Sequence, residues 1–524
     1  MTRAGALARA GLVVSGAFFA SRLLGYIRVS VTTSLFGAGS EVDAFFAAFR
    51  VPDLMFQLVA AGALGSALVP IVAGLRATGE AERGWRVGAT VANLMVAALA
   101  VLGIGFFAAA PIVVPAFTPG FDPSTADLTI DMTRIMILSP ILLALGTVAG
   151  SLLNASGRFT AAALAPVAYN AAIIAAALIL GPSIGVRALA IGVVGGSALH
   201  LVVQVPALYR AAYRHRPTIE LADPMARRVF VLMAPRALGL GAVQLIFLVN
   251  TTLASNLGAG AITAYSVAFT LLQLPIGLIS QPLGVVMLPT MSRAAAAGAR
   301  AELASMTRRT LGVLVYIMLI VTPVAIALRE PLVSLLFGFG RFDALAVAAT
   351  AGALGVFLVG LPGHGLIGVL ARAFYADQDT RTPVVAAILA VVISTVVSIV
   401  TVGAFGIGGL ALGISVGTWA EALFLLVRLA IVLPEISLRR EVSAWLRMAL
   451  LGVAGAVGAW LVFVALPAST GGGLAAKAGL AIEMGLGGLV GLVVYVGASL
   501  ALRLPEPRVI GGLFAGALGL KRAA

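Results

Sequence analysis

The chain has 524 residues, 61% of them hydrophobic and only 10% charged, with a formal net charge of +14 and no cysteine. A soluble domain carries about 25% charged residues, so a water-soluble fold of this size is excluded, as the mean hydropathy of +1.11 also indicates. Disulfides, thiolate chemistry and cysteine-based metal sites are excluded too, and the basic excess, spread through short loops with no basic arm, does not indicate nucleic acid.

Apolar stretches long enough to cross a bilayer, separated by short polar loops, predict an all-α integral membrane protein with about fourteen transmembrane helices. The first stretch, 11–36, follows Arg3 and Arg9 and is interrupted by Arg22 and Arg28. No small-residue cleavage pattern follows it, so it reads as a retained span. Stretches 42–74, 87–116, 128–155, 160–181 and 184–210 complete a first set of six. After the longest hydrophilic segment, 211–228, six more follow at 229–256, 261–291, 310–338, 345–374, 383–402 and 405–432, then two at 446–467 and 479–502. This divides the chain into an N-terminal six-helix lobe (1–218), a C-terminal six-helix lobe (219–440) and two additional spans with a tail (441–524).

Of the 34 basic residues, 25 lie at the termini or in loops following even-numbered spans, five lie on the opposite side and four lie within spans. By the positive-inside rule this places both termini in the cytoplasm and favours an even number of spans. A faint repeat runs through the two lobes. Gly37-Ala38-Gly39 matches Gly258-Ala259-Gly260, Phe49 matches Phe269 and Pro70 matches Pro289, with an offset near 220 residues. Duplicated halves of this kind place a substrate site at their interface.

An ionisable residue inside a span costs about 2.5–3.5 kcal/mol to insert and marks a functional site by default. In the first span Ser21, Gly25, Arg28 and Thr32 form one helical stripe with Arg22 beside it. Asp43, Arg50 and Gln57 recur at intervals of seven in the second span, and Arg236 follows Pro235 in the seventh. Guanidinium groups bind phosphate oxygens bidentately, so this constellation suits an anionic, phosphate-bearing substrate. The structural alternatives are snorkelling or carboxylate pairing for Arg28 and Arg50, and a helix N-cap for Asp43. Asp377 and Asp379 have no nearby His, Cys or further carboxylate, and read as a turn that ends a helix. His200, His215 and His364 are far apart in sequence and do not suggest a metal site.

Ser21-Arg22-Leu23-Leu24-Gly25-Tyr26-Ile27-Arg28, Phe36-Gly37-Ala38-Gly39, Asp43-Ala44-Phe45-Phe46 and Arg50-Val51-Pro52-Asp53 resemble the lipid II flippase (MurJ/MviN) family. That family lies within the superfamily of multidrug, oligosaccharide-lipid and polysaccharide exporters. Pro235-Arg236, Asn250 to Ser255 and Phe374 to Pro383 extend the resemblance over roughly residues 15–385. It implies a cavity between two lobes lined by charged residues, and carries that role to Arg22, Arg28 and Asp43. The chain departs from the family pattern at four places. Phe56 and Thr270 align with arginines, Val29 with a carboxylate and Asn250 with an acid sometimes linked to sodium binding. Arg50, Arg236 and Gln57 complete the expected substrate-binding set.

The implied activity is translocation of a lipid-linked peptidoglycan precursor across the bacterial inner membrane by alternating access. It would need no cofactor, would be driven by membrane potential or an ion gradient, and would involve no enzymatic step. The expected partners are lipid II or a similar polyprenyl-pyrophosphate substrate, membrane lipids and cell-wall synthesis proteins. The alternative is export of another polyprenyl-linked glycan or a small molecule.

Overall fold

The structure, a computed structural model, describes residues 3–59, 63–466 and 473–517, and among these every regular element is helical. The helices of the first half are α1 (Arg3–Phe36), α2 (Ser40–Ala48), α3 (Arg50–Val59), α4 (Ala63–Ala77), α5 (Ala81–Phe117) and α6 (Pro123–Met136). They continue as α7 (Ser139–Ala155), α8 (Phe159–Ile184), α9 (Arg187–Val202), α10 (Val205–Arg210) and α11 (Pro224–Ser255). The second half holds α12 (Ala261–Pro275), a π-helical turn Ile276–Ser280, α13 (Gln281–Ala296), α14 (Arg300–Ala327) and α15 (Arg329–Phe337). After these come α16 (Ala344–Val359), α17 (Leu361–Ala376), α18 (Arg381–Phe405), α19 (Ile407–Val432), α20 (Leu438–Ala465), α21 (Leu474–Ala501) and α22 (Glu506–Ala517).

Eleven helical stretches among the described residues are long and apolar enough to cross a membrane, or twelve if α16 and α17, bent by 42° at their junction, form one span. The sequence predicts about fourteen. The two missing from the set are the first and the seventh, α1 and α11. Both helices run over residues whose side chains lie outside the described ones, and the described part of α11 forms a shorter apolar helix, Val243–Ser255.

Contacts gather the chain into two compact units. The first holds Met1–Thr263 with Phe339–Asp343, and the second holds Ala264–Gly338 with Ala344–Ala524. In the first, α8 lies between α1 and α9, and α11 packs on α3, α4 and α5. Asn170, buried on α8, donates to the carbonyl of Ser21 on α1 at 3.4 Å. In the second, α18 packs along α19 and α20 along α21. The α18–α19 seam depends on glycine: a Cβ at Gly413 would lie 2.6 Å from the Ser394 carbonyl oxygen, and one at Gly417 would lie 2.7 Å from that of Ala390. Small residues at four-residue spacing allow such backbone approach where lipid supplies no hydrophobic drive between helices.

Candidate functional site

Asp43 lies inside α2, one turn beyond the N-cap Gly39, and is 1% exposed. Its Oδ2 accepts from the backbone of Gly260 at 2.7 Å, and its Oδ1 accepts from the backbone and hydroxyl of Thr263 at 2.7 and 2.5 Å. These donors belong to the turn that opens α12, where N–H groups lack intrahelical partners and the helix dipole favours a negative charge. The N-cap role foreseen for Asp43 is thus filled on another helix. Its own N–H bonds the carbonyl of Gly39.

Around this carboxylate the two copies of the repeat cross over. A Cβ at Gly120 would lie 2.3 Å from the Ser255 carbonyl oxygen, and one at Gly340 would lie 2.3 Å from that of Ser34. Gly120 and Gly340 are 220 residues apart, and Ser34 and Ser255 are 221 apart. The loop of each copy therefore rests on the helix end of the other, and all four residues lie in the first unit. The repeat offset could have exposed this pairing in the sequence, since Gly120-Phe121-Asp122 is echoed by Gly340-Arg341-Phe342-Asp343.

Arg50 and Gln57 belong to α3, which follows α2 directly after Phe49, a residue that keeps helical dihedrals (φ −69°, ψ −20°). They join a polar cluster against α11. Arg50 Nε donates to the Thr251 hydroxyl at 3.0 Å, with its guanidinium 5.3 Å from the centre of the Phe247 ring. Asp53 accepts from Gln244 at 3.0 Å and, one turn along α3, from Gln57 at 3.4 Å. Asn250 is buried on the same helix.

The predicted stripe of α1 packs on α8. The Ser21 carbonyl meets Asn170, Thr32 is buried, and half-buried Arg28 sits 5.9 Å above the Tyr169 ring. Arg22 is exposed on the neighbouring side of α1. Arg236 lies on α11, but its side chain is outside the described residues. The Thr270 hydroxyl bonds its own helix at the Ser266 carbonyl, so no cation stands at that position. Sequence reasoning missed Tyr169 and marked Thr251 only within the Asn250 to Ser255 resemblance; both are neutral residues whose part emerges only from their neighbours.

Arg50, Asp53 and Gln57 bring a guanidinium, a carboxylate and an amide together against α11, and Arg28 presents a second guanidinium from α1 beside Tyr169. Such a group has cationic hydrogen-bonding capacity for oxyanions at membrane depth. At the margins of the bundle the carboxylates serve turns. Asp122 accepts from the backbone of Ser124 and Thr125 and so caps α6. Its hydrogen bonds from the Ser124 and Thr125 side chains hold its pKa well below the usual carboxylate range. Asp379 does the same for Arg381 and Thr382, which agrees with the turn expected there.

A family model described as lipid II flippase MurJ matches residues 32–471. The lipid II flippase MurJ of Burkholderia cenocepacia is 34% identical over 434 residues, covering 81% of this chain and 84% of that protein. A probable lipid II flippase MurJ of Rhizobium meliloti is 29% identical, covering 79% of each. Among solved structures, a lipid II flippase MurJ in an inward closed conformation superposes with a TM-score of 0.78 at 22% identity, covering 94% of this chain and 99% of that one. An inward-facing multidrug resistance transporter of the MATE family aligns with a TM-score of 0.66 at 17% identity, covering 79% and 96%. The chain belongs to the lipid II flippase MurJ family.

Proposed function

We propose that this chain is a lipid II flippase that carries the lipid-linked peptidoglycan precursor from the cytoplasmic to the outer leaflet of the bacterial inner membrane. The observation that carries this reading is the 34% identity, sustained over 434 residues, to a protein named for that activity. The intramembrane cations of the first unit support it. A pyrophosphate-linked headgroup bears about two negative charges, and an unpaired buried charge costs many kcal/mol. Arg28 and Arg50 would bind the pyrophosphate, with Arg22 and Arg236 assisting, and Gln57 would hydrogen-bond the headgroup. Asp43 would act on the substrate only indirectly, by fixing the turn before α12. Arg50 and Arg236 would also offset the arginines that the family has where this chain has Phe56 and Thr270.

In this reading both termini are cytoplasmic, the lobes 1–218 and 219–440 provide alternating access, and 441–524 adds two spans. Membrane potential or an ion gradient supplies the energy. Export of another polyprenyl-linked glycan is less favoured, because the family match and the named relatives agree on lipid II. The reading is tested in a bacterium depleted of its own flippase. Expression of this chain restores growth and lipid II exposure on the outer leaflet; growth without that exposure would point to a different substrate.

A further inference from the structure

Residues 211–223 run along the first third of α5. Arg83 donates to both carboxylate oxygens of Asp223 at 2.8 and 3.1 Å. The Thr90 hydroxyl accepts from the backbone of Glu220 at 3.1 Å, and Asn93 donates to the carbonyls of Arg216 and Thr218, each at 2.8 Å. Ala212 holds a left-handed φ of 65° after the end of α10, and the chain beyond it forms no regular element before α11. Its successive side chains fall on two sides that differ in chemistry. Ala212, Arg214 and Arg216 line a cavity of about 100 Å³ together with Glu82, Trp85 and Arg86. Tyr213 and His215 close an apolar slot of about 250 Å³.

The slot is walled by α5, α7, α9 and α10 through residues such as Ala92, Leu145, Leu152, Leu201 and Leu208. At its mouth the Tyr213 hydroxyl lies 3.0 Å from His215 Nδ1, and the Tyr213 ring meets Trp85 edge-on at 5.6 Å. Tyr and Trp gather at the level of lipid headgroups. The small cavity holds three guanidiniums and one carboxylate. Arg216 is paired with Glu82 at 2.6 Å. Arg86 Nε is 3.5 Å from Glu220, and this buried donor has no hydrogen-bond acceptor. Arg214 leans on the Tyr209 ring at 4.9 Å and uses Nη1 on the carbonyls of Tyr209 and Tyr213.

The geometry points to a seat for one anionic glycerophospholipid of the leaflet at this arginine-rich end, with an acyl chain in the slot and the phosphate among Arg86, Arg214 and Arg216. A slot alone would take any lipid tail, and a basic cavity alone would take any phosphate. Their position on opposite sides of a single segment selects a molecule that has both parts. Clusters of arginine beside a span attract anionic lipid in the same way. The seat uses none of the charges of α1 and α3, so it stands apart from the flippase reading.

Trp85 reports on the seat directly. Trp419, Trp445 and Trp460 are replaced by Phe, and the protein is placed in nanodiscs containing chain-brominated phosphatidylglycerol or chain-brominated phosphatidylcholine. The brominated anionic lipid is expected to quench Trp85 at a several-fold lower mole fraction than the zwitterionic one. Arg214→Gln should remove most of that preference. Glu82→Gln, which deletes the cavity's carboxylate, should increase it. The two variants move in opposite directions, which a folding defect would not mimic. Equal quenching by both lipids would overturn the proposal. So would loss of the preference on adding glycerol phosphate, since the cavity would then serve a soluble phosphate.

Discussion

Helices α2–α3 share a faint sequence repeat, 220 residues apart, with α12 and the π-helical turn after it, yet their polar residues differ. Asp43 corresponds to Thr263, Arg50 to Thr270, Asp53 to Gln273 and Gln57 to Gly277. The first copy carries charge and bonds α11 through Arg50 and Asp53. The second is neutral throughout these positions, and its Thr270 bonds only its own backbone among the contacts seen. Asp43 and Thr263, equivalent residues, bond each other. The two segments share a pattern, and at these positions the charge is confined to the first. A single anionic headgroup needs one cationic site, which one charged copy supplies.

The comparison breaks most visibly at the arginines. Arg28→Ala is expected to abolish lipid II transport while membrane insertion and protein level stay normal. Undiminished transport would reduce Arg28 to a residue that packs on Tyr169. Next in size is Asp43→Ala, which strands the N–H groups of Gly260 and Thr263 in a buried turn and should cost roughly 3 kcal/mol, since hydrogen bonds to charged groups carry 1.5–3 kcal/mol each. Thermal unfolding in detergent measures it. A loss below about 1 kcal/mol would mean the carboxylate is replaceable there.

Arg50→Gln should weaken headgroup binding about tenfold, close to 1.4 kcal/mol, with the melting temperature preserved. A lowered melting temperature with unchanged binding would assign Arg50 to the α3–α11 contact instead. At the equivalent place in the neutral copy, Thr270→Val should change stability by less than about 0.5 kcal/mol and leave transport intact. A strong transport defect there would contradict the assignment of charge to one copy.

The smallest effect concerns the strap over α5. The hydrogen bonds from Arg83 hold the Asp223 carboxyl below its ordinary range. A carboxylate with a depressed folded-state pKa contributes stability above its unfolded value of about 3.9 and loses it as pH falls further. Proteolysis within 211–223 should therefore accelerate as pH drops below about 4, and Asp223→Asn should remove that dependence. A strap equally protected at acid pH would show that the Arg83 contact contributes little.

Much of this architecture was legible in the sequence. The apolar stretches located the helices, and the stripe Ser21, Gly25, Arg28 and Thr32 does form a packed face. The spacing of Asp43, Arg50 and Gln57 picked out residues that bond different elements, Asp43 the turn that opens α12 and Arg50 the helix α11. Asp43 could be recognised as polar and enclosed, but its donors lie 217 and 220 residues away. Only the repeat offset hints at that pairing. Tyr169 left no signal, since a tyrosine in a span is usually packing, and Thr251 stood out only as part of the Asn250 to Ser255 resemblance.

The central claim is that this chain moves lipid II and does so through Arg28. It is tested most directly by purified protein in liposomes loaded with fluorescent lipid II, scoring the fraction that becomes accessible to a membrane-impermeant quencher under an imposed membrane potential or ion gradient. The account predicts rapid exposure with the native chain and none above protein-free vesicles with Arg28→Ala. Equal exposure in both, or none in either while the native chain is folded, would contradict it.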